Sequence, residues 1–293
     1  MDWLTEFPSL ARGELRSFRK GIDEAFRSFT EQYGEGFESF FDPLLSFLVW
    51  SEKLLLATPW PVIIAVIATL AWLGSRSKRI VAGVVISLLL IGYLGMWEDT
   101  MRTLSIITVC TLVSIVIGIP VGILMSRSNR LQALITPVLD VMQTMPSFVY
   151  LIPVVMLLGI GKVPGMIAVI IYALPPIIRL TNLGIREVDR ELVEAANAFG
   201  CTPWQKLVHV QLPLALPSIF AGVNQTIMMA LSMVVIASMI GVTGLGQPVL
   251  KAITNQYFSL GLLNGLAIVA IAIIFDRVSQ RYGLRLQKYR QNR

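Results

Sequence analysis

The chain has 293 residues, of which 55% are hydrophobic and only 14% are charged. Soluble domains carry about 25% charged residues, whereas long apolar stretches with almost no charge recur here between Leu54 and Phe275. The composition excludes a soluble enzyme, a disordered chain and a secreted disulfide scaffold, and it predicts an all-α polytopic membrane helical bundle. The net charge of +6 does not indicate a nucleic-acid partner, because in a membrane protein the positions of the cations matter first.

The first 53 residues form a tail with an amphipathic pattern. Large apolar residues recur every three or four positions from Phe18 to Leu48, with charged residues between them. This spacing places the apolar side chains on one face of a helix. We expect an extracytoplasmic helix that lies on the membrane surface; packing on the bundle and docking of an extracytoplasmic partner are the alternatives.

A membrane-spanning helix needs about 20 apolar residues. By this criterion the sequence predicts about seven spans, at 54–74, 80–97, 101–125, 133–159, 164–181, 214–240 and 258–276. Two N-terminal transmembrane helices over 54–97 therefore precede a core over 98–277. A basic cytoplasmic tail at 278–293 follows the core.

The distribution of Lys and Arg predicts the orientation. The loop at 75–79 has three cations in five residues, and cytoplasmic loops are the ones enriched in Lys and Arg. With this loop inside, alternation places fifteen Lys and Arg residues on the inner side. The outer loops between the spans then have only Arg102, Lys162 and Lys251. The N-terminus is predicted outside, with no cleaved signal peptide, and the C-terminus in the cytoplasm.

The sequence offers few groups that could energise transport. Ion-coupled transporters usually carry ionisable groups inside their spans, but Asp140 is nearly the only candidate, and the single histidine, His209, lies in a loop. A phosphate-binding loop of the Gly-x-x-x-x-Gly-Lys-Ser/Thr type is missing, so we expect no ATPase site on this chain. Cys110 and Cys201 have no metal-ligand spacing, so we expect no metal, cofactor or disulfide.

The inner segment at about 186–204 has the most regular pattern of the sequence. Acidic residues in its first turn complement the helix dipole, and Gly200 suits a left-handed C-terminal cap. Thr202 and Pro203 then open a second helix. The residues that share one face of the first helix are Leu192, Ala195, Ala196 and Phe199. A helix–turn–helix with a small-residue face suits the docking of another protein.

The string Glu194-Ala195-Ala196, followed at fixed spacing by Gly200 and by Leu212-Pro213, resembles the EAA loop of bacterial ABC importer permeases. The resemblance implies a type I, MetI-like permease fold and a coupling helix seated on a cytoplasmic ABC ATPase dimer. ATP and Mg²⁺ would then be bound by that ATPase, whose closure moves two permease copies. The implied coupling residues are Glu194, Ala195, Ala196, Phe199 and Gly200.

A second patterned region, at 140–153, places an acid, an amide and two prolines in an apolar stretch. Such backbone breaks occur at membrane depth where the segment lines a cavity or is buried in protein. A gate and a kinked packing helix are therefore both open interpretations. The candidate gate or pathway residues are Asp140, Gln143, Met145, Phe148, Tyr150, Asn224 and Gln225.

The side chains of this region also allow two interpretations each. The Met and aromatic residues at 142–150 would either form a cage for a quaternary ammonium group or pack in the core. The amides at 224–225 would either line the path or bond between helices.

Longer strings at 140–144, 173–181 and 230–240 look like those of the proline/glycine-betaine permeases of osmoprotectant importers. The likeness covers about 97–276 and implies import of choline, glycine betaine or proline betaine across the bacterial cytoplasmic membrane. It also implies three protein partners: a second copy of the chain, the ATPase dimer and a separate extracytoplasmic substrate-binding protein. The alternatives are another small solute, such as an amino acid, or a passive channel or secondary transporter.

Overall fold

The structure is a computed structural model that describes residues 10–291, with side chains up to residue 280, and over this range it contains helices and turns but no strands. The predicted all-α class is thus confirmed for the described residues. The helices are α1 (Arg12–Ala57), α2 (Trp60–Ser75), α3 (Lys78–Tyr93), α4 (Trp97–Arg127), α5 (Asn129–Thr144), α6 (Leu151–Leu158), α7 (Lys162–Arg186), α8 (Arg190–Ala198), α9 (Pro203–Lys206), α10 (Leu212–Ala237), α11 (Gly246–Asn255) and α12 (Phe258–Gln291). A π-helical turn at Leu207–Gln211 joins α9 to α10.

Four stretches of helix among the described residues are long and apolar enough to cross a membrane alone. They are Trp97–Arg127, Lys162–Arg186, Pro203–Ile240 and Phe258–Gln280. Two further candidates are helix pairs, α1 with α2 and α5 with Ser147–Leu158, and each pair is bent by 111°. The structure thus has four to six candidate spans where the sequence predicts about seven.

Helix length explains the difference at the predicted spans 54–74 and 80–97. The helices found there, α2 and α3, have 16 residues each, which is about 24 Å of helix. The hydrocarbon core of a bilayer is about 30 Å thick. Each of these helices is therefore too short to count as a span alone.

Glycines allow α4, α7 and α10 to approach closely. A Cβ atom at Gly122 of α4 would lie 2.6 Å from the Cβ of Thr181 on α7, and one at Gly184 of α7 would lie 2.6 Å from the Cβ of Ser218 on α10. Small residues at helix contacts are typical of membrane bundles, where close backbone approach provides the packing energy. As a result, α7 packs tightly against both α4 and α10.

Helix α1 covers most of the segment that the sequence predicts to be an amphipathic helix, and it extends to Ala57. The first half of its apolar face is uncovered, since Phe18 is 62% exposed and Ile22 is 55% exposed. Leu44 and Leu48 instead pack into the main apolar core. The bundle therefore covers only the end of this face. Residues 1–9 of the predicted tail lie outside the described residues.

An ion-pair cluster fixes the last turns of α1 to the bundle. A carboxylate oxygen of Glu52 accepts a hydrogen bond from Lys162 Nζ at 2.6 Å, and the other oxygen lies 3.6 Å from Arg102 Nε. The Glu52 side chain is only 12% exposed. Arg102 and Lys162 belong to two of the three loops that the sequence predicts to be outer, and the structure places both at one end of the bundle.

The opposite end brings together elements that are predicted to be inner. A Cβ atom at Gly74, just before the basic loop, would lie 3.0 Å from Val278 of α12. Arg186, at the end of α7, bonds to Asn129 beside the turn between α4 and α5. The structure thus brings each of these two pairs of predicted inner elements into contact, while the side of the membrane on which each end lies stays a prediction. In the basic tail at 278–293, side chains after residue 280 lie outside the described residues.

Candidate coupling segment and transport path

Short-range hydrogen bonds make α8 and α9 a compact, rigid segment. Thr202 caps α9: its Oγ1 accepts from the backbone N–H of Gln205, while Gln205 Oε1 accepts from the Thr202 N–H at 2.9 Å. Lys206 Nζ donates to Asn197 Oδ1 at 3.0 Å, which ties α9 back to α8. The reciprocal cap satisfies two backbone donors that a helix start leaves free.

Gly200 forms the turn between these two helices. Its φ is +73°, in the left-handed region, and a Cβ atom there would meet nothing within 4 Å. Glycine is favoured at such a position because a side chain strains the backbone. The predicted αL cap and the helix–turn–helix are therefore confirmed, whereas the docking role of Gly200 stays a prediction.

The residues predicted to share one face of α8 do not share one environment. Ala196 is buried at 6% exposure, whereas Phe199 is 88% exposed and Leu192 is 46% exposed. Ala196 thus packs inward, because the π-helical turn at Leu207–Gln211 lies against α8. The sequence prediction missed Trp204, which is 66% exposed directly after the turn. We call the exposed set Leu192, Ala195, Phe199 and Trp204 the docking face.

Glu194, the first residue of the EAA string, lies beside the docking face. It is exposed, and its carboxylate makes no hydrogen bond or ion pair to any described residue. The α8–α9 segment therefore presents unpaired carboxylates, that of Glu194 among them, and three large apolar side chains at the end of the bundle that is predicted to be cytoplasmic.

The second candidate region contains a sharp break in the backbone. Helix α5 ends at Thr144, and Met145 adopts an extended conformation before Pro146. A residue that precedes proline is disfavoured in the α region, which explains where the helix stops. A 3₁₀ turn at Ser147–Tyr150 then leads into α6, and the two halves meet at 111°. The predicted kink is confirmed.

This break separates side chains that the aromatic-cage interpretation places together. The Tyr150 ring is buried, its hydroxyl donates to the Met142 carbonyl, and it packs edge-on against Tyr172 with ring centroids 5.6 Å apart. Phe148, two residues earlier, is 55% exposed. Met145 packs against the main core. The arrangement favours core packing for Tyr150 and Met145 and leaves Phe148 facing outward.

Helix α5 carries a continuous stripe of polar side chains along one face. Its apolar face, formed by Ile135, Leu139 and Met142, packs against α4 and α7. The face beside it carries polar residues at intervals of three and four, which is the helical repeat. These residues, here called the polar stripe, are Asn129, Gln132, Thr136, Asp140 and Gln143. The stripe extends about 21 Å along the helix; Asn129, Gln132 and Thr136 are not among the residues that the sequence predicts for the path.

The charge of the polar stripe is balanced. Asp140 accepts a hydrogen bond from the Arg179 guanidinium of α7 and forms an ion pair with it. The side chains of Gln132 and Gln143 make no hydrogen bond to any described residue. The exposed part of the stripe is thus polar without net charge.

The two predicted pathway amides of α10 have different surroundings. Asn224 Nδ2 donates to Asp276 Oδ1 of α12 at 3.0 Å, and Asn224 Oδ1 accepts from Ser279 at 2.5 Å. The side chain of Gln225 is exposed and forms no bond to a described residue. Asn224 therefore has the interhelical arrangement, whereas Gln225 has the arrangement expected of a path-lining residue.

Exposed amides at membrane depth need a partner. In a bilayer such groups face a water-filled path or another protein chain, because hydrocarbon cannot bond to them. The polar stripe and Gln225 are thus candidates for a path between protein surfaces. In the described part of the chain, no three His, Cys, Asp or Glu side chains are placed to hold a metal ion.

Comparisons with known proteins agree with this geometry. Residues 114–288 match the family described as the inner membrane component of binding-protein-dependent transport systems. The chain is 54% identical over 232 residues to the glycine betaine/proline betaine transport system permease protein ProW of Escherichia coli K12. It is 50% identical over 229 residues to the glycine betaine/carnitine transport permease protein GbuB of Listeria monocytogenes.

The extent of these matches differs. They cover 79% and 78% of this chain, but 65% of the Escherichia coli protein and 81% of the Listeria protein. Among solved structures, an inward-facing form of the MetNI methionine ABC transporter has a TM-score of 0.58 at 22% identity, over 65% of this chain and 95% of that one. This likeness establishes the MetI-like permease fold. The chain belongs to the family of inner membrane components of binding-protein-dependent transport systems.

Proposed function

We propose that the chain is the transmembrane subunit of an ATP-driven importer for quaternary ammonium compounds, with glycine betaine and proline betaine as cargo. The observation that carries the proposal is the docking face on the rigid α8–α9 segment. Phe199 and Trp204 are 88% and 66% exposed. Burial of such side chains against a partner is worth about 1.5–3 kcal/mol each, and a rigid segment loses little conformational freedom on binding.

The partner at this face is the ATPase that supplies the energy. Helix α8 is followed by α9 and α10 without an extended linker, and only three residues separate it from α7. A displacement of the docking face therefore moves α7 and α10, the two helices to which the α8–α9 segment is connected. Two copies of the chain, each bound to one ATPase subunit, rock between an inward-open and an outward-open arrangement.

The path between the copies is lined by the polar stripe and Gln225. Because Asp140 is paired with Arg179, the lining offers amides and hydroxyls without net charge. A betaine is a zwitterion and has no net charge either, so it crosses such a lining without an uncompensated charge. Choline is a bare cation and lacks this match, which favours the betaines that the names of the similar permeases report.

The proposed topology follows the distribution of cations. The basic end of the bundle, with the docking face, lies in the cytoplasm, and the Glu52 cluster lies outside. A separate substrate-binding protein delivers the cargo to that outer end of the pair. The chain has no ATPase site of its own in this scheme, and ATP and Mg²⁺ bind to the partner.

The experiment is uptake of labelled glycine betaine, proline betaine and choline by cells that lack other osmolyte importers. The cells express the chain with its ATPase and its binding protein. We expect both betaines to accumulate more than choline. Accumulation of choline alone would overturn the cargo, and accumulation of none of the three would overturn the quaternary ammonium assignment.

A further inference from the structure

Arg186, the last residue of α7, connects three helices just before the coupling segment begins. Its Nη1 donates to Asn129 Oδ1 of α5 at 2.8 Å, and its Nη2 donates to the Met125 carbonyl of α4 at 3.0 Å. Its Nε donates to Asn182 Oδ1, one turn earlier on α7, at 3.1 Å. Helix α8 starts only four residues later, at Arg190.

A second arginine joins α7 to α5 farther along both helices. Arg179 lies seven residues before Arg186, which is about two helical turns and so on the same face of α7. It donates to Asp140, which lies eleven residues after Asn129 on α5. Both acceptors belong to the polar stripe. Helix α5 is therefore attached to α7 by two charge-assisted bonds, one near each end of the stripe.

We propose that Arg186 is a positioning residue that transmits displacement of the docking face to α5, the helix that carries the polar stripe. The proposal rests on the proposed function, because it assumes an ATPase that moves α8. The apolar contacts of α5 with α4 and α7 are non-directional. The planar guanidinium fork fixes distance and direction, so the bond to Asn129 makes α5 follow the end of α7.

Local stabilisation of the α7 end is the competing explanation. A cation near the last turn of a helix is favourable, and the bond to Asn182 serves that purpose within α7 alone. The two amides distinguish the explanations, since Asn182 and Asn129 each accept one hydrogen bond from the same guanidinium. Only the bond to Asn129 crosses to α5.

The first experiment compares transport with ATP hydrolysis for the full complex in liposomes. The variants are Asn129→Ala, Arg186→Ala and the matched control Asn182→Ala. We expect Asn129→Ala and Arg186→Ala to lower the betaine moved per ATP at least fivefold, while hydrolysis stays within twofold of wild type. Loss of one hydrogen bond to a charged group shifts an equilibrium by roughly tenfold or more, which sets this scale.

Asn129→Asp is the rescue variant, because it keeps an acceptor for Arg186 Nη1. It should recover most of the betaine moved per ATP that Asn129→Ala loses, because the Arg186 guanidinium offsets the added carboxylate, and Asn182→Ala should transport at near wild-type efficiency. Equal losses in Asn129→Ala and Asn182→Ala would overturn the proposal in favour of local stabilisation. A proportional fall of hydrolysis and transport would also overturn it, since that pattern indicates lost docking.

A second experiment separates this proposal from the proposed function, because it needs no cargo. The native cysteines, Cys110 and Cys201, are changed to Ser. A spin label is then attached at Val141→Cys, a position that is exposed on α5. The distance between the labels of two copies is measured with the ATPase, without nucleotide and with ATP. We expect a shift that Asn129→Ala abolishes and Asn182→Ala retains. If the distance shift is unchanged in Asn129→Ala, the proposed role of Arg186 is overturned. If the labelled protein without Asn129→Ala or Asn182→Ala shows no shift, the ATP-driven function is overturned instead.

Discussion

The α8–α9 segment and α5 are stabilised in different ways. The polar bonds of the α8–α9 segment join residues at most nine positions apart, as in the pair Lys206–Asn197. The polar bonds that position α5 join residues 39 and 57 positions apart, Arg179 with Asp140 and Arg186 with Asn129. The first region thus carries its own rigidity, whereas the second depends on its neighbours.

This difference indicates which function each region should lose when it is mutated. A surface that must accept a partner's force benefits from a geometry that does not depend on the state of the bundle. A helix that lines an alternating path has to change its surroundings during the cycle. Changes in α8–α9 should therefore abolish docking with the bundle intact, and changes in α5 should alter transport with docking intact.

The largest effect is expected for Gly200→Asp. The substitution strains a backbone with φ +73° and places a charge beside the docking face, where an unpaired buried charge costs about 3–5 kcal/mol. Uptake should fall more than a hundredfold while the protein remains in the membrane. The control is Gly95→Asp, because Gly95 has φ +77° and open space around it but lies between α3 and α4. Equal loss in both variants would indicate misfolding rather than lost docking.

Phe199→Ala should have the next largest effect. The side chain is 88% exposed, so its removal leaves the fold unchanged, but it deletes about 1.5–3 kcal/mol of burial against the ATPase. The affinity for the ATPase, measured by titration in detergent, should fall about tenfold to a hundredfold. Phe258→Ala, at a position 80% exposed at the start of α12, should bind normally. Normal binding by both variants would remove Phe199 from the docking face.

Gln143→Leu and Gln225→Leu should each reduce transport about fivefold, because each removes a polar group worth about 1 kcal/mol to a passing solute. Initial uptake rates and ATPase binding are measured together, and binding should not change. Val138→Leu is the control, since Val138 is 56% exposed on α5 but lies outside the polar stripe. Wild-type transport by both glutamine variants would exclude the polar stripe and Gln225 from the path.

The smallest effect on transport is expected for Glu52→Gln at the outer end. The change removes the carboxylate charge that lies between Lys162 and Arg102, so the free energy of unfolding should fall by about 1–3 kcal/mol. Thermal unfolding in detergent measures this loss of stability. Glu24→Gln is the control, since its pair with Lys20 is 66% exposed at the carboxylate and is worth less than about 1 kcal/mol. Equal midpoints for the two variants would contradict a structural role of the cluster.

The same contrast between local and long-range bonds decides what the sequence could predict. The Gly200 turn and the Thr202 cap depend on residues close in sequence, so the pattern at 186–204 predicts them directly. The inward position of Ala196 depends on the π-helical turn eleven or more residues later, which no local rule contains. Trp204 was missed because it follows the turn and falls outside the periodic pattern of α8.

The path region was only partly predictable for a related reason. The kink follows from Pro146, and the candidates Asp140 and Gln143 are polar residues in an apolar stretch. The environments of Tyr150 and Phe148 depend on the direction of the chain after the break, which tertiary packing sets. Likewise, the bond between Asn224 of α10 and Asp276 of α12 joins residues 52 positions apart in the sequence. The short lengths of α2 and α3 are also not evident from hydropathy alone.

The most direct test of the central claim uses sealed proteoliposomes that contain the chain with its ATPase, with ATP inside and the binding protein and labelled glycine betaine outside. The proposed function predicts accumulation against the concentration gradient that requires ATP and is absent with Gly200→Asp. Accumulation without ATP, or equal accumulation by Gly200→Asp, would contradict an importer that is driven through the α8–α9 segment.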